Sequence, residues 1–342
     1  ILINEILRSQ KIKSKVALPE KIGLISDGVF GFATVDFEKS IPQLAANFND
    51  KCIYIVPGFY GVSPQGKITV FGRGGSDYTA ASIAKCVGAA SVDVWKDVEG
   101  FLSANPRMVK NTERIEKLSY NEAAELSYFG ARILHPETVS PLKTDKIPLR
   151  IFDVENFDNS IRPATIINGH VQRHPGIIKS ITYNDDFGIL SLTGAGVGAR
   201  PGILAEVTHR LEIEKINIKS VITSQTTINI LLATSDLKKT IGHFKKNPLK
   251  TVKNITTDED ISVIAVVGEG ITEQAGVMSK ILVALASTSI NIKTIVMGAS
   301  PVSAYLIVSK QDKVAAIRNI HKELFETNQQ IKQHEYECTT SL

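Results

Sequence analysis

The sequence predicts an α/β fold in two unlike halves, and three observations predict it. In the first half, short apolar runs alternate with helical stretches, and polar glycine loops follow the apolar runs. In the second half, Gly194, Gly196, Gly202, Asn217, Ile218 and Lys219 return 74 residues on as Gly268, Gly270, Gly276, Asn291, Ile292 and Lys293, a repeat without a gap. Each copy reads strand, glycine loop, amphipathic helix and two strands. Closed by a further helix, that βαββ order makes a ferredoxin-like sandwich.

Taken in order, residues 1–15 carry apolar side chains at 1, 2, 3, 6, 7 and 12, a partial helical stripe that opens a domain abruptly. Residues 26–31 read as a loop, 39–48 as a short helix led by Pro42, and 52–56 as a buried strand ending at Pro57 and Gly58. A short strand at 67–71 leads into a helical run at 80–87, and 92–95 form the next strand. Ser119 and Glu122 have the spacing of a capping box, with a helix over 123–129 that Gly130 ends. A second helix follows His135 and Pro136, and 149–154 read as the last strand of this half. Such alternation puts a site at the C-terminal ends of the strands. In the repeat, strands fall at 189–193 and 263–267 and helices at 203–211 and 277–286, with 314–325 as a closing helix. An extra strand at 177–183 could join either copy.

The totals narrow the function. A length of 342 residues allows two to three domains, each with its own core. Lys and Arg number 39 against 35 Asp and Glu, and a net charge of +4 spread evenly argues against nucleic acid and membrane surfaces as partners. Cys52, Cys86 and Cys338 lack metal-ligand spacing, so no metal site is expected and a reducing cytoplasm is the natural setting. No apolar run reaches the ~18 residues of a spanning helix. The chain opens on Ile1 rather than Met, and a missing N-terminal part is expected.

Residues 71–81 concentrate the chemistry. Between a strand and a helix lie Gly72, Arg73, Gly74, Gly75, Ser76 and Asp77: bare backbone N–H groups at a helix start with a guanidinium beside them. Such a turn binds anions, and the fork of an Arg matches a carboxylate bidentately. Without Gly-Lys-Ser/Thr it is not a Walker A loop. Asp77 is placed either to cap the helix or to hold a lysine or a metal-phosphate.

The string Gly72-Arg-Gly-Gly-Ser-Asp-Tyr-Thr-Ala-Ala81 resembles the aspartate kinase signature. Three further blocks agree in order and spacing: Pro57-Gly-Phe-Tyr-Gly61, Val94-Trp-Lys-Asp-Val-Glu-Gly-Phe-Leu-Ser-Ala-Asn-Pro-Arg107 and Phe129-Gly-Ala-Arg-Ile-Leu-His-Pro136. The resemblance covers nearly the whole chain. It implies a partial amino-acid-kinase three-layer sandwich over 1–168 and two ferredoxin-like ACT domains over 175–256 and 257–335. The implied reaction is phosphorylation of the β-carboxylate of L-aspartate by ATP with Mg2+, the first step toward lysine, threonine and methionine.

By the same resemblance, Arg73 grips a substrate carboxylate, Phe59 packs on the substrate with Gly74, Gly75 and Ser76 around it, and Asp77 orients a phosphate-binding lysine or magnesium. Lys96, Asp97, Leu102, Arg107 and Arg132 fall on the ATP side. There the sequence departs from the family pattern: Lys96 stands for a Thr, Leu102 for a Tyr, Asn105 for an Asp and Arg132 for a common Lys. His135 is read as holding a turn. The family's opening Lys-Phe-Gly-Gly loop and the acidic residue that binds the substrate amine are absent from these 342 residues, so the chain alone is expected to be inactive.

An amino-acid effector is expected at Gly202, Ile203, Leu204, Asn217, Ile218 and Ser224, in a homodimer or tetramer built through the ACT domains. Lys219 falls where lysine-inhibited relatives carry an acid, which favours threonine or another small amino acid unless Lys219 points to solvent. Two other readings stand beside this one. A non-catalytic amino-acid-binding regulator fits the ACT pair, but leaves the Arg73 loop without a use. The kinase part of a bifunctional aspartokinase–homoserine dehydrogenase would call for a Rossmann fingerprint after the second repeat.

Overall fold

The structure, a computed structural model, describes residues 1–130, 133–156, 162–169, 177–198 and 200–326. The first half opens with α1 (Leu2–Ser9), β1 (Ser14–Val16), α2 (Pro19–Ile22), α3 (Phe37–Asn47) and β2 (Ile53–Ile55). Asp36, not Pro42, starts α3, its side chain accepting the Lys39 N–H, and Pro42 lies within the helix. Strands β1 and β2 pair in parallel. The expected burial of β2 does not hold: among the described residues β1 is its one strand neighbour, and Ile53 stays 47% exposed.

Next come the hairpin β3 (Tyr60–Val62) and β4 (Ile68–Val70), then α4 (Gly75–Val87), β5 (Val92–Lys96), β6 (Lys117–Ser119), α5 (Tyr120–Phe129), α6 (Ser140–Asp145), β7 (Leu149–Asp153) and β8 (Thr165–Asn168). The sheet order is β5-β7-β8-β6. Strand β7 is therefore not the last of this half. The short β8 runs antiparallel to it and returns the chain alongside β6.

The second half holds β9 (Ser180–Asn184), β10 (Phe187–Thr193), α7 (Ile203–Ile213), β11 (Ile218–Thr223), β12 (Thr227–Ala233), α8 (Thr234–Lys246), β13 (Asn254–Asp258), β14 (Ser262–Val267), α9 (Val277–Ala286), β15 (Thr294–Ser300), β16 (Ser303–Val308) and α10 (Lys313–His321). Its two sheets have orders β11-β12-β10-β13 and β15-β16-β14-β9. The strand left open by the sequence is β9, and it pairs with β14 of the second copy. Its equivalent β13, 74 residues on, pairs with β10 of the first. Each copy thus lends its leading strand to the other's sheet, across the boundary expected at 256.

Helix α5 joins the halves. The capping box is present, Ser119 accepting the Glu122 N–H and Glu122 accepting the Ser119 N–H. Glu122 does more than cap. Fully buried, its carboxylate also accepts from Lys179 Nζ at 2.7 Å and from the Glu269 N–H at 2.9 Å. The same helix packs Ala123, Leu126 and Phe129 into a core shared with Val263, Ala265 and Val267 of β14. At Gly130 (φ 131°), a Cβ would meet the Tyr183 carbonyl oxygen at 2.1 Å, so the helix ends where the backbone of β9 leaves no room for a side chain.

Candidate active site

The turn after β4 takes its shape from its neighbours. Gly72 (φ 76°) and Gly74 (φ 71°) are left-handed, and a Cβ on Gly74 would lie 2.3 Å from the His135 Cβ. Gly75 packs against Phe59 and Phe71. The 57–61 loop is fastened down by the Phe59 N–H donating to Thr79 Oγ1 at 2.9 Å and the Phe71 N–H donating to the Phe59 carbonyl at 3.0 Å. Phe59 itself sits at φ 81°, an uncommon conformation for a bulky residue, and is 44% exposed.

Helix α4 begins at this turn with Gly74 as its N-cap and without a side-chain cap, so Asp77 is not the cap. Among the described residues, the N–H groups of Ser76 and Asp77 have no hydrogen-bond acceptor. Asp77 instead receives Lys96 Nζ at 2.8 Å, with both side chains partly buried. Lys96 is the last residue of β5, so a strand end and a helix start are tied by one ion pair. Arg73 and Ser76 are exposed at the rim. The turn therefore offers two free N–H groups, an exposed guanidinium and a lysine held by a carboxylate, which together can take up the spread negative charge of a phosphoryl or carboxyl group.

His135 holds the back of the turn. Its Nδ1 accepts the Glu137 N–H at 3.3 Å, and burial pulls its pKa below 6.5, with Arg73 adding to that and Glu137 and Asp77 opposing it. Facing Gly72, the Gly31 carbonyl and the Phe32 ring close the turn at 3.3 and 3.6 Å from where a Cβ would stand. Phe30 and Phe32 are 66% and 81% exposed. The sequence shows residues 26–31 as a loop, and what brings that loop to the site is long-range: the Ala33 N–H donates to Val70 O and the Val35 N–H to the Tyr78 hydroxyl.

The other expected nucleotide residues are placed apart. Asp97 is exposed beside Lys96. Leu102 is half-buried, and its carbonyl accepts Ser180 Oγ of β9 at 2.7 Å. Arg107 is exposed, next to Met108, whose carbonyl accepts Arg318 Nε of α10 at 2.7 Å. The 101–109 segment thus rests on the second repeat, and Ser103 ties it further through Oγ to His321 Nε2 at 2.9 Å. His321 Nδ1 in turn meets Glu326 at 3.2 Å. Ser103 and His321 are 1% and 0% exposed, so this Ser-His-Glu line fastens two segments and is not open to a substrate. Arg132 lies outside the described residues.

In the first repeat, Gly202 (φ 86°) caps α7, Ile203 is buried and Leu204 is 40% exposed. Asn217 and Ser224 are exposed and Ile218 half-buried. Lys219 points neither to solvent nor to this loop. Its Nζ lies 5.1 Å from the Tyr128 ring centre and 5.9 Å from that of Phe187, and burial lowers its pKa while Asp236 opposes this. Its counterpart Lys293 is paired with Asp258 at 2.7 Å.

Residues 1–153 match the amino acid kinase family, and residues 264–324 match an ACT domain. The bifunctional aspartokinase/homoserine dehydrogenase of Haemophilus influenzae is 30% identical over 313 residues, 88% of this chain and 38% of that protein. The lysine-sensitive aspartokinase 3 of Escherichia coli is 28% identical over 334 residues, 95% of this chain and 73% of that one. The chain belongs to the aspartate kinase family. The E. coli aspartokinase III structure in complex with aspartate and ADP superposes with a TM-score of 0.82 at 26% identity, covering 95% of this chain and 72% of that one. The same enzyme with lysine and aspartate gives 0.76 at 26% identity, covering 95% and 72%. The chain spans less than half the length of the bifunctional relatives it matches.

Proposed function

We propose that the full-length protein transfers the γ-phosphoryl group of ATP to the β-carboxylate of L-aspartate, giving 4-phospho-L-aspartate on the route to lysine, threonine and methionine. The observation that carries this reading is the Asp77–Lys96 ion pair set against the free Ser76 and Asp77 N–H groups, with Arg73 exposed beside them. Phosphoryl transfer asks mainly for positioning and charge neutralisation, and these groups supply both. Arg73 clamps a carboxylate of aspartate against Phe59, while Lys96, held in place by Asp77, and the helix N–H groups face the phosphates.

The donors present fit a nucleotide triphosphate. Mg2+ would be held chiefly by the phosphates themselves, with Asp97 or Asp77 as the carboxylate within reach, and would neutralise charge on the β- and γ-oxygens. Among the described residues no group of three or more His, Cys, Asp or Glu side chains is placed to hold a metal ion. An amino-acid effector is assigned to the first repeat around Gly202, Ile203, Leu204, Asn217, Ile218 and Ser224. With Lys219 turned to Tyr128, charge repulsion no longer decides between lysine and threonine, and calorimetric titration with each does.

Association through the ACT domains is supported by the edge strand β15, where Ile295 and Met297 are 43% and 44% exposed. Cys52 and Cys86 are free thiols, in keeping with the cytoplasm, and no helix among the described residues is long and apolar enough to cross a membrane. The test of the activity is to incubate full-length protein with ATP, Mg2+ and L-aspartate in hydroxylamine. Aspartyl hydroxamate is expected to form in step with ADP. ADP without hydroxamate, or hydroxamate from glutamate at an equal rate, would overturn the assignment.

A further inference from the structure

The two repeats share more backbone than the six matching residues show, and one of them already holds a carboxylate. The Lys179 N–H donates to the Val267 carbonyl at 2.9 Å, and 74 residues on the Lys253 N–H donates to the Thr193 carbonyl, its equivalent in the other copy, at 2.8 Å. A Cβ on Gly268 would stand 2.1 Å from the Ile177 carbonyl oxygen, and one on Gly194 would stand 2.0 Å from the Thr251 carbonyl oxygen, so neither position has room for a side chain. Two backbone contacts and two glycines therefore superpose under the same shift. In the second repeat, the place beside Gly268 is filled by Glu122, whose carboxylate accepts the Glu269 N–H at 2.9 Å and Lys179 Nζ at 2.7 Å. In the first repeat the corresponding N–H belongs to Ala195 and the corresponding ammonium to Lys253. Both residues are exposed, and neither has a carboxylate partner among the described residues.

We propose that the first repeat carries a carboxylate-binding subsite formed by the Ala195 N–H and Lys253, the counterpart of the place that Glu122 fills in the second repeat. The second repeat is thereby a closed copy, its ligand supplied by the kinase half of its own chain, and the first is the open copy that takes a free carboxylate from solution. Arg200 adds a third donor group. Its side chain lies 3.8 Å from where a Cβ on Gly196 would stand, and the equivalent residue in the closed copy is the uncharged Gln274. A single carboxylate that meets an N–H and an ammonium of the repeat, as Glu122 does with Glu269 and Lys179 in the closed copy, is the chemical class of the ligand: a small organic acid or the carboxylate end of an amino acid. The subsite lies ahead of the α7 start and is distinct from the effector residues assigned there. It stands whether or not the kinase site phosphorylates aspartate.

The test is an amide-shift titration of the uniformly deuterated, 15N-labelled chain with sodium acetate, beside sodium chloride at matched ionic strength and inorganic phosphate. The Ala195 amide is expected to shift saturably with acetate while the Glu269 amide, already bonded to Glu122, stays in place. Lys253→Met, a change at an exposed position, is expected to weaken the apparent Kd at least fivefold. An unmoved Ala195 amide, an equal response to chloride, tighter saturation by phosphate than by acetate, or a Kd unchanged in Lys253→Met would each overturn the proposal.

Discussion

Replacing Glu122 with Ala should unfold the junction between the two halves far more readily than a capping-box loss alone would. Losing an N-terminal cap costs about 1 kcal/mol. Here the same side chain also neutralises Lys179, which is buried with 6% of its side chain exposed and whose ammonium, among the described residues, has only the Lys117 carbonyl, at 3.2 Å, as a remaining partner. Stranding one member of such a buried pair costs about 3–5 kcal/mol, and the Glu269 N–H loses its acceptor as well. Replacing both charges, as in Glu122→Met with Lys179→Met, leaves no stranded ion and should recover most of the loss, since apolar pairs of similar volume are often neutral. Urea unfolding followed by the single Trp95, which stacks on Phe152 with ring centres 4.7 Å apart, reads the effect in the kinase half. A loss below about 1.5 kcal/mol in the single variant, or a double variant weaker than the single one, would refute the reasoning.

Other outcomes follow from the site. Arg73→Ala in the full-length protein should reduce kcat/KM for aspartate by an amount equal to about 2–4 kcal/mol while the urea midpoint stays put, and steady-state kinetics beside denaturation checks this. Lys96→Met should lower nucleotide affinity measured by calorimetry with ADP, and Asp77→Asn should lower it less, because the lysine stays but is no longer held. Gly74→Ala should cost ~1–2 kcal/mol for the left-handed backbone alone, before its contact with His135 is counted, and thermal unfolding reads it. His135 has its folded pKa pulled below the usual 6.5, so the unfolded chain binds the proton more readily. Its stabilising contribution is full above about pH 6.5 and is lost as pH falls through the lower folded value, a slope that His135→Asn should flatten in melts between pH 7 and pH 5.

What was legible in the sequence is what local chemistry dictates. The spacing of Ser119 and Glu122 announced a helix start, the glycines at 72, 74 and 75 announced a bare turn after a strand, and the 74-residue shift announced two copies of one unit. The rest is decided by partners far along the chain. Nothing in the run from 177 to 183 says which sheet receives it, because an apolar strand pairs equally well with either copy until the swap with β13 is made. Glu122 reads as a cap, and its second duty depends on Lys179, 57 residues away. Leu102 looks like part of a nucleotide loop, yet its carbonyl is bound by a serine 78 residues on. The exposure of β2 and the short antiparallel β8 likewise reflect which neighbours a strand meets and not its composition.

In the proposed reaction one turn, at the start of α4, brings the substrate carboxylate and the phosphates together. A crystal structure of the full-length protein with L-aspartate, ADP and Mg2+ tests it most directly. A carboxylate of aspartate is expected to be bound by both ends of the Arg73 guanidinium, with phosphate oxygens on Lys96 and on the Ser76 or Asp77 N–H. Aspartate bound without Arg73, or a nucleotide whose phosphates lie away from Lys96 and the α4 start, would contradict it.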